Sequence, residues 1–215
     1  MNQSTIEKLE LFGRPSPIEP YKLKLIAFYC IILLCLSLIF NTSLLVIFMK
    51  HKKLRTSLNM FILTLTAIHL FGSISEFSFV IPSNMYGRWL TGESGCIISG
   101  FIMYTVGVTQ IYMMTAISAQ RFLIIWKPFI IRKMTFKVSF FIIALCVLAG
   151  VFWAGLPLFG WSHYSLEAGL TSCSVEWAER SYNVYSYNVT IFIFVFVIPV
   201  FIIVFCNLYM LVIVS

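Results

Sequence analysis

Apolar residues in this chain run in long stretches separated by short polar clusters. Five stretches stand out, at about 25–49, 57–82, 96–122, 138–159 and 186–213. Each reaches the roughly 20 residues that a helix needs to cross the hydrocarbon core of a bilayer. All are longer than a short helix buried in a soluble core. The pattern predicts an all-α membrane protein with five transmembrane helices. The third stretch, Cys96 to Arg121, has no charge between its end residues. Its length of roughly 38 Å at about 1.5 Å per residue reaches both headgroup zones. It is the rod around which the rest is arranged.

Composition agrees with this picture. Hydrophobic residues make up 60% of the chain and charged residues 11%, with a mean hydropathy of +0.94. Soluble domains are nearer half apolar and a quarter charged. The formal charge of +7 therefore marks cytoplasmic loops rather than a nucleic-acid surface, and no nucleic-acid partner is expected. Lys50, Lys52, Lys53 and Arg55 follow the first span, and Arg121, Lys127, Arg132, Lys133 and Lys137 follow the third. The loops after the second and fourth spans hold only Arg88 and Arg180. Basic loops stay inside, so residues 1–24 form an extracellular tail and residues 25–215 the transmembrane domain. The polar N-terminus lacks the apolar region of a cleavable signal, so the first span acts as its own insertion signal.

Several residues within this frame carry chemistry. Asn41 and His69 are polar groups at membrane depth, expected to face neighbouring helices. Glu76, two turns beyond His69, is an ionisable group in a span and a functional candidate by default. Pro82 is expected to close the second span. Cys30, Cys35, Cys146 and Cys206 fall inside spans, whereas Cys96 and Cys173 share the outer, oxidising side and read as a disulfide pair. Asn2 begins an outer glycosylation sequon; Asn188 begins another that lies too close to lipid. No metal cluster, catalytic triad or phosphate-cradling glycine loop is present, which argues against an enzyme. The absence of an internal repeat argues against a transporter. Pro199 is expected to break a helical rung and open space in the fifth span. The end at Ile213-Val214-Ser215, without a basic stop, reads as a truncation.

Particular motifs then resemble a known family. The segment His51 to Asn59, HKKLRTSLN, is similar to the first cytoplasmic loop of opsins. Trp89-Leu-Thr-Gly92 before Cys96 resembles the first outer loop of rhodopsin-like (class A) G-protein-coupled receptors. Gly160 to Gly169, GWSHYSLEAG, followed by Cys173, resembles the opsin plug that lies over retinal. Ala119-Gln120-Arg121-Phe122 sits where the class has its acidic-Arg-Tyr triplet. Asn41, Pro157, Pro199 and Cys206 also match in residue type. The match covers the first five of seven helices.

The resemblance implies a retinal-binding photoreceptor, multi-pass in the plasma membrane, that activates a heterotrimeric G protein through Arg121 and Gln120. It implies a retinal pocket drawing on Met103, Tyr104, Gly107, Val108, Glu167, Ile191, Phe192 and Phe196. Glu167 matches the loop glutamate that serves as Schiff-base counterion in many opsins, and Glu76 is its rival. Ser99 occupies the helix-three counterion site of vertebrate visual opsins. The family's attachment lysine belongs to a seventh helix, which lies outside these five. Gln120 replaces the acid of the ionic lock, Asn207 a tyrosine, Val147 a tryptophan and His69 an aspartate. Two other readings stand beside this one: a rhodopsin-like receptor for a diffusible ligand, and a non-signalling truncated product that modulates the full-length receptor.

Overall fold

A computed structural model describes residues 12–127, 129 and 134–214 of the chain. The predicted sequon at Asn2, and Arg132 and Lys133 of the basic loop, lie outside the described residues. Five helices are long and apolar enough to cross a membrane. Helix α1 spans Pro20–Lys50, α2 Asn59–Tyr86 and α3 Gly92–Trp126. Helix α4 spans Phe136–Gly155 and tightens into a 3-10 turn at Leu156–Phe159. Helix α5 starts as Tyr182–Ile191, widens into a π-helical segment at Phe192–Val197 and continues as Ile198–Val214.

Every helix runs past its apolar core into the interfacial zone, where a helix no longer needs apolar side chains. Helix α1 starts at Pro20, where the fixed φ of proline suits a first turn and its missing N–H costs nothing. Residues 20–24, expected in the tail, are therefore helical. A second correction concerns Pro82. It lies inside α2 rather than at its end. In a bundle, neighbouring groups tolerate one lost rung. The helix ends instead at Gly87, whose φ of 69° is the left-handed conformation that lets its N–H cap Ser83.

Helix α3 is the hub, packing against α2, α4, α5 and the outer loop. Its approach to α4 is close because Gly150 has no side chain. A Cβ there would lie 2.8 Å from the Thr105 carbonyl oxygen and would also meet the Thr109 hydroxyl. Helices α1 and α2 are joined by the Ser37 and Ser73 hydroxyls at 2.7 Å, and Asn41 donates to the Ser37 carbonyl at 2.8 Å. The serine pair fastens the two helices, whereas the hydrogen bonds of Asn41 run to Ser37 of its own helix. Large apolar side chains such as Phe140 and Phe201 face outward, the arrangement suited to lipid as solvent.

The loop after α4 forms a hairpin. Strands β1, Tyr164–Leu166, and β2, Cys173–Val175, pair antiparallel with Tyr164 opposite Val175 and Leu166 opposite Cys173. The expected disulfide is present: Cys96 is bonded to Cys173, with their Cα atoms 5.3 Å apart. The hairpin therefore lies across the outer end of α3.

Candidate ligand cavity beneath the outer hairpin

Under this hairpin lies a cavity of about 590 Å³, within the range of small-molecule sites. One wall is a face of α3: Gly100, Met103, Tyr104, Gly107, Val108, Gln110 and Ile111. Steps of three and four residues put most of these side chains in one stripe. The other wall is a stripe of α5: Asn188, Ile191, Phe192, Val195 and Phe196. Cys173, Ser174 and Trp177 form the roof. Behind these walls is a tight core of Tyr164, Val175 and Tyr187. The Tyr164 hydroxyl donates to the Ala154 carbonyl and the Tyr187 hydroxyl to the Trp153 carbonyl, each at 2.8 Å. Each buried phenol is therefore paired, and the walls are fixed.

The α5 wall owes its shape to Pro199. The π-helical segment bonds each N–H to the carbonyl five residues back, as Ile198 does to Ile193. Pro199 has no N–H, so its counterpart, the Phe194 carbonyl, lacks that partner. The Tyr112 hydroxyl of α3 donates to this carbonyl at 3.3 Å and accepts from Trp153 Nε1 of α4 at 3.0 Å. Three helices thus meet at the widened turn below the cavity. The expectation that Pro199 disturbs the helix takes this specific form.

The roof is held by Glu176. Its Oε2 accepts from the Ser165 hydroxyl at 2.6 Å, and its Oε1 accepts from the N–H groups of Ala178 and Glu179 at 2.7 and 3.1 Å. Partial burial alone would raise its pKa. These hydrogen bonds, with His163 nearby, hold the carboxyl below the usual carboxylate range instead. Farther out, the N–H of Ser16 donates to the Gly87 carbonyl and its hydroxyl to the Gly169 carbonyl, at 2.7 and 2.6 Å. The segment before α1 therefore fastens the hairpin tip to the end of α2.

Met103, Tyr104, Gly107, Val108, Ile191, Phe192 and Phe196 all come together on the cavity wall. Glu167 does not. It stands exposed on the hairpin turn, where its N–H bonds the Ser172 carbonyl and its carboxylate accepts from the Ser172 hydroxyl at 2.6 Å. The backbone pairing that closes this turn keeps its side chain off the wall. Glu76 is half-buried on α2 and is also absent from the wall. Gln110, Ile111, Val195, Ser174, Trp177, Gly100 and Asn188 are additional wall residues. Helical spacing from the expected positions signals Gly100, Ile111 and Val195. Nothing in the sequence signals Ser174 or Trp177, and Asn188 drew notice only as a sequon.

At the inner end, Gln120 is buried and its Nε2 has no hydrogen-bond partner, whereas Arg121 is exposed. Among the described residues no ion pair involves Arg121. Asn207 donates to the Ile203 carbonyl at 2.7 Å and reaches the Ser118 hydroxyl of α3 at 3.5 Å.

Comparison with known proteins gives concordant results. The family described as 7 transmembrane receptor (rhodopsin family) matches residues 40–215. The visual pigment-like receptor peropsin of Homo sapiens is 28% identical over 182 residues, covering 85% of this chain and 54% of that protein. Melanopsin of Mus musculus is 33% identical over 170 residues, covering 79% of this chain and 33% of that protein. The crystal structure of squid rhodopsin superposes with a TM-score of 0.82 at 27% identity, over 93% of this chain and 54% of that one. The chain spans about half the length of peropsin and of squid rhodopsin.

Proposed function

This chain belongs to the rhodopsin family of seven-transmembrane receptors, on its opsin branch, and from that premise we propose that it forms the retinal-binding part of a light receptor in the plasma membrane. It is a multi-pass receptor chain, not an enzyme. The observation that carries the proposal is the cavity between α3 and α5: apolar, partly aromatic, roofed by the hairpin and large enough for a polyene.

Retinal, when bound, supplies light absorption and isomerisation. Tyr104, Phe192 and Phe196 give the polyene an aromatic slot, and Met103 and Val108 fill around it. Gly107 leaves open space, with no atom within 4 Å of where a Cβ would stand. Glu167 and Glu76 are the proposed counterion candidates, both off the wall. At the inner surface Arg121 is the proposed contact for a heterotrimeric G protein, with Gln120 beside it in place of an acid. An amide cannot form the ion pair that a carboxylate would, so the inactive state is held more weakly.

The test is to titrate all-trans and 11-cis retinal into the chain reconstituted in lipid nanodiscs. Saturable quenching of tryptophan fluorescence is the expected result, since Trp177 lines the cavity. The absence of saturable quenching with either isomer would overturn the reading. The position of Glu167 and Glu76 off the wall favours a second reading, a receptor for a diffusible apolar ligand. Saturable displacement of retinal by apolar compounds with no polyene would support it.

A further inference from the structure

A second cleft opens at the outer end of α5. It measures about 580 Å³, and Trp177, Glu179, Arg180, Tyr182 and Tyr185 supply its chemistry. It meets the first cavity at Trp177 and Asn188, which line both. Two restrained segments build it. Glu176 Oε1 accepts from the N–H groups of Ala178 and Glu179, which sets the turn carrying Trp177 and Arg180. The Ser181 hydroxyl accepts from the Val184 N–H at 3.3 Å and starts α5 there, so Tyr182 and Tyr185 share a face one turn apart. Both tyrosines precede the continuous apolar run from Ile191, which puts them at the level of the outer headgroups.

The fold leaves these side chains uncommitted. All three rings are exposed, at 59% for Trp177, 67% for Tyr185 and 87% for Tyr182. Among the described residues none of the three packs on another ring, and Arg180 has no hydrogen bond or ion pair. The Glu179 carboxylate is half exposed and meets His163 Nε2 at 3.6 Å. We propose that the cleft holds the phosphocholine headgroup of an outer-leaflet choline phospholipid. Its trimethylammonium lies among the rings of Trp177, Tyr182 and Tyr185, beside the Glu179 carboxylate, and its phosphate meets Arg180. A quaternary ammonium has no N–H to satisfy, so ring faces can replace its water while attracting its charge. An ethanolamine ammonium has three N–H donors, which rings leave unpaired. A glycerol headgroup has no cation for the rings. Arg180 offers the planar fork that suits a phosphate. A cation beside a carboxylate, with aromatic faces around them, thus complements a zwitterion at the depth where choline headgroups lie. The site does not depend on what fills the first cavity.

The test is native mass spectrometry of the chain in detergent, titrated with phospholipids of identical acyl chains. Phosphatidylcholine is expected to bind about tenfold more tightly than phosphatidylethanolamine. It should also bind about tenfold more tightly than the isostere in which an uncharged tert-butyl group replaces the trimethylammonium. In the double variant Tyr182→Leu/Tyr185→Leu both ratios should shrink by about fivefold. In Tyr182→Phe/Tyr185→Phe, which keeps the rings, they should persist. Arg180→Gln should weaken all three lipids alike and leave the ratios unchanged, because all three carry the phosphate. Circular dichroism, and the Cys96–Cys173 bond on a non-reducing gel, confirm that the variants fold. Equal affinities of the unaltered chain for the three lipids would overturn the proposal, because the rings would then be ordinary interfacial anchors. Ratios unchanged in the double leucine variant would overturn it as well. Free phosphocholine that displaces the lipid at the lipid's own affinity would overturn the membrane source, and displacement only at far higher concentration would support it.

Discussion

Tyr112 does more than fill space. Its hydroxyl is the donor for the Phe194 carbonyl, which Pro199 leaves without its N–H, and the acceptor for Trp153 Nε1. Replacing it with phenylalanine keeps the ring but leaves two polar groups without partners at membrane depth. Tyr112→Phe is expected to destabilise the chain by about 1–3 kcal/mol, seen as a fall of several degrees in the thermal midpoint in nanodiscs. Glu176 makes a pH prediction. Its folded pKa lies below the unfolded value, so its contribution to stability is fully present above about pH 4.3. The contribution is lost as pH falls through the folded pKa. Hydrogen-exchange protection of the hairpin amides should hold from neutral pH down to the carboxylate range and drop below it. In Glu176→Gln that acid step should be absent. The sequence does not disclose either role, because each depends on a partner in another element.

Helices were the most legible elements. A bilayer requires long apolar runs, and the five runs about 25–49, 57–82, 96–122, 138–159 and 186–213 all became helices. Their ends were less legible, since α1 and α2 continue through residues whose polarity suits the interface. The hairpin gave no signal, because its strands are three residues each and depend on backbone pairing. The π-helical segment left no period to read, because residues 191–206 are almost all apolar, and only Pro199 marked it. Contact between α3 and α4 depends on Gly150. Gly150→Val would push a side chain into Thr105 and Thr109 and force the helices apart. A loss of about 2–4 kcal/mol is expected, with the thermal midpoint falling and the cavity binding probes less tightly. If Gly150→Val unfolds at the wild-type temperature, this contact does not set the helix spacing.

In the whole molecule, much of the cavity was legible and its electrostatics were not. Seven wall residues follow from the resemblance and from helical faces, because two rigid rods fix what lies between them. Glu167 lies off the wall because the position of a turn side chain is decided by local bonds, here to Ser172, rather than by its place in a motif. The disulfide closes a loop of 77 residues. On loop entropy, Cys173→Ser should cost about 4 kcal/mol, measurable as a lower unfolding midpoint under non-reducing conditions.

That bond also bears on biogenesis. Cys96 and Cys173 are separated by the rest of α3, an inner loop and the whole of α4. They can meet in the oxidising lumen only if α3 and α4 have been threaded through the membrane in opposite directions. A chain with either helix inverted leaves one thiol on the reducing side. The disulfide is therefore a covalent record of correct topology, and a non-reducing gel can report it for every molecule synthesised.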